Sequence, residues 1–451
     1  MARSRRSLLA ALSAAVAGCG SRPGSPTPGS TADASSSPAN SADATTGTAE
    51  PGPERVQLDD DRVRWRVDFP ADDFAGTAVA DNRLFVGTRE GASTPTPGES
   101  GAGGQVAALS LPAGEPVWHR SLDVPVHGGV QTHDGDLYAV LGYSTGFDGR
   151  EQRIARFGPD GAPRWESKPR DAWLSVYGFD ATTAYLGTGD DALGISGETT
   201  FAVDLETGAE RWAVTGGDPY GGRVTDDTLY ADYGGRAIAS LATDDGAERW
   251  RRVVEALHTY GRAFPRAGGR LFAAIDQEDS RGIAGIDAED GSTVWTHGLD
   301  ADEPFVVTSA TPVGETVIGT EFAGLLFARD AATGEARWEQ SFADRVPAPL
   351  AADGTLYCSV LDGPVAAVDA EDGRELWRAD GGEGYDRFTL MEETVLAVRP
   401  RNGETVVEAR RTGNGSLRWR RTVPGGLQGF EQVGRTLVLV TENQSVYGLA
   451  I

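Results

Sequence analysis

A tryptophan follows a glycine by four residues at eight places along the chain, and this feature limits the fold more than any other. The repeated tryptophans, counting Trp65, which lacks the preceding half of the pattern, are Trp65, Trp118, Trp165, Trp212, Trp250, Trp295, Trp338, Trp377 and Trp419. An apolar stretch and a short, usually acidic turn come before the glycine, as in "RDAATGEARW" (329–338) and "VDAEDGRELW" (368–377). Such periodicity predicts a repeat architecture, in which each unit buries its apolar face against the next unit.

Each interval between these tryptophans is 38 to 53 residues long and contains the same succession of short strands. A second strand with alternating apolar residues, such as "TLYCSVL" (355–361), precedes a third strand such as "PVAAVD" (364–369). The tryptophan strand completes the unit. Four short strands per unit are typical of a propeller blade. The sequence therefore predicts an all-β fold, a β-propeller of four-stranded blades, with nine blades by repeat count.

The glycine and the tryptophan of the repeat have a common structural explanation. Glycine supplies the positive φ that closes the hairpin between the third and fourth strands. A small residue before the turn, such as Ala202, Ala239 or Ala367, leaves room beside a large ring. We expect each tryptophan to cover the gap between two adjacent blades, because burying one such ring removes about 150–250 Å² from contact with water.

The two ends of the repeat region complement each other. The chain ends in "SVYGLAI" (445–451), a third strand without a fourth, and the repeats begin with "RWRVDF" (64–69), a fourth strand without a third. Pairing these strands makes one composite blade and removes two exposed sheet edges. We therefore expect the N- and C-terminal strands to close the ring.

The first residues are typical of an export signal. Arg5 and Arg6 resemble a twin-arginine motif, and an apolar run at 8–17 is too short to cross a bilayer as an ordinary helix. Cys19 ends a lipobox-like "VAGC" and would be the lipid attachment site. Residues 1–19 are therefore predicted to be a lipoprotein signal peptide; the alternative is a short buried helix with a chance cysteine.

Residues 20–54 consist almost entirely of Ser, Thr, Ala, Pro and Gly. Such a composition buries too little apolar surface to offset the entropy of ordering. We expect a disordered linker at 20–54, followed by the propeller domain at 55–451.

The charge of the chain is strongly acidic. Asp and Glu number 67 against 41 Lys and Arg, a formal net charge of −26, and only one of the cations is a lysine. This surface predicts a halophilic, haloarchaeal source, since concentrated salt screens the self-repulsion. A GC-rich genome is the alternative explanation for the missing lysines. The acidic surface argues against nucleic-acid binding, which requires a positive footprint.

Few residues suggest chemistry. "HGGVQTHDGD" (127–136) brings two histidines and two aspartates together, which indicates either a metal site or a strand, a turn and a strand; we favour the second interpretation. Acidic residues at 228–235 and 300–304 are weak calcium candidates, since such loops are frequent in an acidic chain. We predict no catalytic, cofactor or metal site. Asn414 and Asn443 begin N-x-Ser patterns, which makes them glycosylation candidates in an exported protein.

The repeat resembles the pyrroloquinoline-quinone-type (PQQ-like) propeller family, whose motif is A-x-D-x-x-T-G-x-x-x-W. "FAVDLETGAERW" (201–212) and "FARDAATGEARW" (327–338) match it, and the resemblance covers residues 63–451. It implies a girdle of tryptophans between blades and a norm of eight blades. Quinone-dependent members of the family share a pair of adjacent cysteines. This chain has no such pair, since its two cysteines, Cys19 and Cys358, lie far apart in the sequence.

The order of lipobox, linker and cofactor-free repeats is similar to BamB-like lipoprotein propellers. This resemblance implies a monomeric, non-catalytic binding or assembly scaffold for protein or cell-surface glycan partners. The anchor at Cys19 would place it extracellularly, on the outer face of the cytoplasmic membrane, with lipid as its only membrane contact. The alternative is an exported enzyme, a degenerate quinoprotein dehydrogenase or a hydrolase, that uses the propeller channel.

Overall fold

Thirty-eight strands and their turns account for the fold of the residues that the structure describes, and none of those residues is helical. All of them belong to one unit, Glu50–Ile451. Within them, no helix has the length and apolar character needed to cross a bilayer. The computed structural model describes residues 52–58, 60–71, 73–90, 103–143, 151–189, 199–215, 221–233, 237–253, 265–277, 280–299, 307–321, 323–382 and 387–451.

The strands follow the chain in groups of four, and each group forms one antiparallel sheet. Two strands precede the first group: β1 (Glu54–Gln57) and β2 (Val63–Asp68). Blade 1 contains β3 (Asp73–Ala80), β4 (Arg83–Arg89), β5 (Gly104–Ser110) and β6 (Pro116–Leu122). Blade 2 contains β7 (Val126–His133), β8 (Asp136–Gly142), β9 (Glu151–Phe157) and β10 (Pro163–Glu166), with β11 (Arg170–Asp171) beside β9. Blade 3 contains β12 (Trp173–Phe179), β13 (Thr183–Gly189), β14 (Thr199–Asp204) and β15 (Glu210–Thr215), and blade 4 contains β16 (Gly221–Val224), β17 (Thr228–Asp232), β18 (Ala237–Ala242) and β19 (Glu248–Val253).

The second half of the chain continues the pattern without interruption. Blade 5 contains β20 (Arg266–Ala267), β21 (Arg270–Gln277), β22 (Ser280–Asp287) and β23 (Thr293–Leu299), and blade 6 contains β24 (Val307–Val313), β25 (Thr316–Glu321), β26 (Leu325–Asp330) and β27 (Ala336–Ser341). Blade 7 contains β28 (Leu350–Ala352), β29 (Thr355–Ser359), β30 (Val365–Asp369) and β31 (Glu375–Ala379), and blade 8 contains β32 (Arg387–Met391), β33 (Thr394–Arg401), β34 (Glu404–Arg411) and β35 (Leu417–Pro424). Blade 9 contains β36 (Leu427–Val433), β37 (Thr436–Thr441) and β38 (Ser445–Ala450) and is completed by β2.

The described strands thus make nine blades in a ring, which confirms the predicted all-β propeller and the repeat count. The number is nine, and the norm of eight that the resemblance implies does not apply to this chain. Contacts close the circle between the last and the first blade, where Gln428 Nε2 donates a hydrogen bond to Asp73 Oδ1 at 2.7 Å.

Burial within one blade explains its residue pattern. In blade 6, every residue of β25 is buried, because the second and third strands lie between the two neighbouring blades. Strands covered on both faces are buried along their whole length rather than at alternate residues, and β25 buries polar as well as apolar residues. The outer strand β27 is mostly exposed, and its central Trp338 is the buried exception. The core is therefore a series of apolar layers between adjacent blades, and the tryptophan covers the outer margin of each layer.

The composite ninth blade closes the ring as the sequence predicts. β2 pairs with β38 antiparallel, with Val67 opposite Val446 and Trp65 opposite Gly448. One further strand was not foreseen: β1 adds to the outside of β2 and makes this blade five-stranded. β1 begins at Glu54, the last residue of the predicted linker.

Strand direction places the connections at two opposite ends of the ring. Turns that join the first strand to the second, and the third to the fourth, lie at one end, which we call the turn end. Connections from the second strand to the third, and from one blade to the next, lie at the other end. The repeated acidic turn with its glycine therefore lies at the turn end in every blade that has one.

Candidate interaction site at the propeller closure

The repeated acidic turn is held by its first aspartate. In blade 6, Asp330 Oδ1 accepts hydrogen bonds from the backbone N–H groups of Ala332 (3.0 Å) and Thr333 (2.9 Å). Asp330 Oδ2 accepts a hydrogen bond from Arg337 Nη2 at 2.7 Å. The Arg337 guanidinium, together with the turn N–H groups, lowers the pKa of Asp330 to about 2. The aspartate is therefore ionised, and its carboxylate stabilises the turn, at all but strongly acidic pH.

The same turn receives the tryptophan of the preceding blade. Trp338 Nε1 donates a hydrogen bond to Ala370 O in the turn of blade 7 at 3.1 Å. The ring lies against Gly373, whose φ is +75°, and a Cβ there would stand 2.6 Å from Trp338 Cδ2. The glycine is therefore required twice, for its left-handed backbone and for the close approach of the ring.

Eight of the nine repeated tryptophans, all of which lie in the described part of the chain, dock in this way. The pairs of indole Nε1 and acceptor carbonyl are Trp65–Pro112 (2.7 Å), Trp118–Pro159 (2.9 Å), Trp165–Leu205 (2.8 Å), Trp212–Thr243 (3.0 Å), Trp250–Ala288 (3.2 Å), Trp295–Ala331 (3.1 Å), Trp338–Ala370 (3.1 Å) and Trp377–Thr412 (2.6 Å). These contacts link each blade to the next at the outer margin of the ring.

Small residues face the tryptophans across the hairpin, with one correction to the expected set. Ala202 pairs with Trp212, and Ala367 pairs with Trp377. In blade 4, however, Ser240 stands opposite Trp250. Ala239 was wrong by one position: the residue opposite the ring stands ten places before the tryptophan, which is Ser240 in blade 4, and Ala239 pairs with Arg251.

The junction between blades 8 and 9 differs, because β38 and β2 lie at opposite ends of the sequence and no turn joins them. The ladder nevertheless continues: Ala450 N donates a hydrogen bond to Arg62 O at 2.7 Å, and Ile451 N donates one to Arg435 O at 3.1 Å. Asp60 Oδ1 accepts hydrogen bonds from Arg62 N and Val63 N. Two chain segments thus meet where the other blades have one continuous turn with its glycine.

Trp419 occupies the docking position at this junction. Its indole Nε1 has no acceptor among the residues that the structure describes, whereas the other eight each have one. Instead of a glycine, the Arg62 guanidinium lies over the ring, 5.2 Å from its centroid. A cation over an indole face is a favourable contact, but it leaves the N–H donor unused.

A groove of about 470 Å³ opens beside Trp419. We call it the arginine groove; its principal residues are Arg62, Glu392, Arg411, Leu417, Arg418, Trp419, Arg435 and Ile451. Its ion pairs are exposed and loose: Arg435 Nη1 lies 3.0 Å from Glu392 Oε1, and Arg418 lies 3.7 Å from Glu393. Such surface pairs contribute little, about 0–1 kcal/mol each. Four arginines and one glutamate line the groove, so it is locally cationic on a chain whose net charge is −26.

A second groove, of about 440 Å³, lies on the other side of the turn that contains Arg435. We call it the apolar groove; it is lined mainly by Trp65, Leu111, Pro112, Val433 and Leu449. The two grooves share Arg435 and together flank the composite blade at the turn end. The closure thus has a cationic groove and, beside it, a groove whose apolar lining residues Trp65, Leu111 and Leu449 are themselves buried.

The sequence profile of the family described as outer membrane protein assembly factor BamB matches residues 53–212, 102–256, 196–318 and 279–426 of this chain. The chain belongs to this family of PQQ-like propeller proteins. The family member from Burkholderia pseudomallei (strain K96243), also described as outer membrane protein assembly factor BamB, is 23% identical over 366 residues, or 77% of this chain and 80% of that protein.

Among solved structures, BamB from Moraxella catarrhalis is similar with a TM-score of 0.49 and 18% identity, covering 71% of this chain and 96% of that chain. The computationally designed Ika8 protein has a TM-score of 0.51 at 12% identity, covering 84% of this chain and 96% of that chain. At these identities, the likeness concerns the fold alone.

Other charged groups of this BamB family member lie inside the blades. Glu408 is fully buried and accepts hydrogen bonds from Arg399 Nη2 (2.9 Å), Arg410 Nη2 (2.5 Å) and Arg420 Nε (2.7 Å). These arginines keep the pKa of Glu408 below its usual value in spite of its burial. Removing the carboxylate would leave buried cations unpaired, so the cluster has a structural role in blade 8.

Glu321, at the end of β25, has the opposite environment. Its side chain is 4% exposed, and Oε1 has no hydrogen-bond partner in the described ranges. Burial, and secondarily the nearby Glu339 carboxylate, raises its pKa to about 7, although Arg329 opposes the shift. A carboxyl group with a raised folded pKa binds its proton more tightly when folded, so its contribution to stability falls as pH rises from about 4.5 to about 7.

The residues predicted from sequence lie apart from one another. Arg5, Arg6 and Cys19 are outside the described residues. Asn414 is exposed in the turn between β34 and β35, where its Oδ1 accepts a hydrogen bond from Ser416 N at 3.0 Å. Asn443 is exposed at the opposite end of the ring, in the turn between β37 and β38.

The histidine segment forms the hairpin that we favoured. His133 stacks on Phe179 with ring centroids 5.0 Å apart, and Asp136 forms a salt bridge with Arg156. Across the described ranges, no three His, Cys, Asp or Glu side chains come together as metal ligands. The acidic residues 300–304 lie outside these ranges. Cys358 is fully buried, and burial raises the pKa of its thiol to about 12.

Proposed function

We propose that the protein is a membrane-tethered, non-catalytic scaffold that binds protein partners through the propeller closure. The observation that carries the proposal is the pair of grooves at the closure, the cationic one beside Trp419 and the apolar one beside Trp65. Membership of the BamB family supports it, since the relative from Burkholderia is described as an assembly factor. The scaffold is a monomer, and cell-surface glycans remain the second class of partner.

The proposed location follows from the N-terminal sequence. Arg5 and Arg6 direct export of the folded protein, and Cys19 becomes the lipid attachment site on the outer face of the cytoplasmic membrane. The salt-adapted surface, with a net charge of −26, keeps the propeller soluble outside the cell. Replacing Cys19 with Ser should release the protein from the membrane fraction, and full retention of the variant would contradict the anchor.

Modification at the surface forms a further part of the proposal. Asn414 and Asn443 both lie on exposed turns, where a glycosyltransferase can reach an already folded chain. Peptide mass spectrometry of protein from its native membrane should show a glycan on one or both asparagines. Two unmodified asparagines, in a host that glycosylates other surface proteins, would contradict it.

Among the residues that the structure describes, no cluster of His, Cys, Asp and Glu side chains supports the enzymatic alternative. Cys358 is a buried thiol whose raised pKa of about 12 makes it a poor nucleophile or metal ligand. It stands alone in β29, without the vicinal cysteine that the quinone-dependent relatives share. We therefore do not propose a catalytic function.

Site-specific crosslinking tests whether the closure binds a protein. A photo-reactive phenylalanine analogue at Leu417, which is 46% exposed in the arginine groove, should give discrete protein adducts in native membranes. The control is Leu376, which is 40% exposed on the outer strand of blade 7, one residue before Trp377. Adducts at Leu417 that are missing at Leu376 are expected. Identical patterns at both positions, or none at Leu417, would contradict binding at the closure.

A further inference from the structure

We infer that the arginine groove binds an acidic β-turn of a partner protein, with a turn carbonyl accepting a hydrogen bond from Trp419 Nε1 and a turn carboxylate pairing with the arginines. This inference rests on the proposed scaffold function and names the chemistry of the partner segment.

The other eight junctions show what this position binds. In each of them, an indole N–H reaches a carbonyl of the next blade's turn, as Trp377 Nε1 does with Thr412 O at 2.6 Å. The indole face meets the glycine of the same turn; a Cβ on Gly415 would stand 2.4 Å from Trp377 Cε3. Trp419 offers the same ring and the same donor, but β38 and β2 supply no continuous turn to it. The ninth junction thus has the tryptophan ring and the N–H donor, but not the turn that contacts them at the other eight junctions.

The charges at the groove favour an acidic turn. In blades 3 and 6, the first turn residue is an aspartate that pairs with the arginine just before the tryptophan, as Asp204 does with Arg211 at 2.6 Å. In blade 8, the corresponding residues are Arg411 and Arg418, so two cations stand where blades 3 and 6 have an ion pair. A carboxylate from a partner would provide the missing counter-charge.

Arg62 adds to this preference. Its guanidinium covers the Trp419 ring and has no carboxylate within salt-bridge distance in the part of the chain that the structure describes. An incoming turn would take its place on the ring and offer it a carboxylate. The groove therefore has a cation for the acidic side chain and, beneath that cation, a ring and a donor for the turn backbone.

A peptide supplies the direct test. A disulfide-closed hairpin with the sequence DLETGAER, the chain's own turn at 204–211, should bind the full-length protein in a fluorescence-anisotropy titration at one fixed salt concentration. A control hairpin, in which amides replace the three carboxylates, should bind at least tenfold more weakly. Equal affinity of the two hairpins would overturn recognition of an acidic turn.

Two tryptophan variants separate binding from folding. Trp419→Phe keeps a smaller aromatic ring and removes the unused N–H, so hairpin affinity should fall about fivefold while the melting temperature falls less than in Trp377→Phe. Trp377→Phe removes an N–H that already bonds Thr412 O, so it should lower the melting temperature and leave hairpin affinity unchanged. The reverse pattern, or equal losses of affinity in both variants, would overturn the assignment to Trp419.

Charge reversal checks the arginines and separates the two proposals. Arg418→Glu should weaken hairpin binding more than tenfold, and unchanged affinity would overturn the role of the arginine groove. Crosslinks at Leu417 without hairpin binding would leave the scaffold function standing and refute the acidic turn. Concentration-dependent self-association that Arg418→Glu abolishes would make a second copy of this chain the occupant, contrary to the inference.

Discussion

The junction between blades 6 and 7 and the junction between blades 8 and 9 use the same tryptophan in two different ways. Trp338 lies against Gly373 and donates its N–H to Ala370 O, all within one continuous turn of the next blade. Trp419 meets Arg62 instead, and its N–H has no acceptor among the described residues. The difference arises from chain connectivity, because the ninth blade takes its third and fourth strands from opposite ends of the sequence.

This comparison shows how closing a ring creates a distinct surface. Pairing β2 with β38 satisfies the backbone of both terminal strands, so the sheet itself has no exposed gap there. The turn is the element that cannot be completed, and the turn carries both the glycine and the acceptor carbonyl. A nearly symmetric fold thus has one junction at which the indole N–H meets no turn carbonyl among the described residues.

The largest expected difference concerns the tryptophans themselves. Trp338→Ala should lower the free energy of unfolding by about 3–5 kcal/mol, since it leaves a cavity between two blades. Trp419→Ala should cost roughly half as much, because no turn is docked on its ring. Denaturant unfolding of the two variants measures both values, and equal losses would break the comparison.

Much of the fold could be predicted because the repeat is local in sequence. The glycine and the tryptophan lie four residues apart, so the hairpin, the blade and the count of nine follow from reading the chain. The composite blade could also be predicted, since the terminal strands were complementary halves of one unit. Ala239 was misplaced by one residue, because blade 4 was aligned on its alanine instead of on the position ten residues before the tryptophan, which is Ser240.

The features of the closure could not be predicted, because they depend on residues far apart in sequence. Arg62 and Trp419 meet only when the ring closes, and neither letter is unusual in its own segment. Nothing in the sequence distinguishes Glu408 from the other acidic residues, although three arginines donate hydrogen bonds to it in the structure. One signal was available: a comparison of the repeats would have shown an arginine, Arg411, where four of the eight repeats have an aspartate.

The next largest effect separates a docked glycine from an undocked one. Gly373→Ala should cost about 2–3 kcal/mol, because its φ of +75° disfavours a side chain and its Cβ would collide with Trp338. Gly403 has a φ of +77° with nothing within 4 Å of a Cβ, so Gly403→Ala should cost only about 1 kcal/mol. Both glycines have a similar positive φ, so the difference in stability between the two variants, measured by calorimetric melting, gives the cost of the collision with Trp338 alone. A cost at Gly403 as large as that at Gly373 would show that ring docking is not the cause.

The smallest effect concerns pH. The pKa of Asp330 in the folded protein is about 2, below the ordinary value of 3.8, so its stabilising effect is fully present above about pH 4 and is lost as pH falls toward 2. Asp330→Asn should cost about 1 kcal/mol at neutral pH and flatten the dependence of stability on pH in this window. Arg411→Asn, at the matching position of blade 8, should leave that dependence unchanged. An unaltered acid profile in Asp330→Asn would contradict the role of the turn aspartate.

Indole hydrogen exchange tests the open ninth junction most directly. In protein labelled with ¹⁵N at tryptophan, the indole N–H signals of the nine repeated tryptophans can be followed by NMR after transfer to D₂O, and Trp419→Phe identifies the signal of Trp419. The eight indoles that donate to turn carbonyls should exchange slowly, and the N–H of Trp419 should exchange much faster than that of Trp377. Protection of Trp419 equal to that of Trp377 would show that the ninth junction is as closed as the others and would contradict the account.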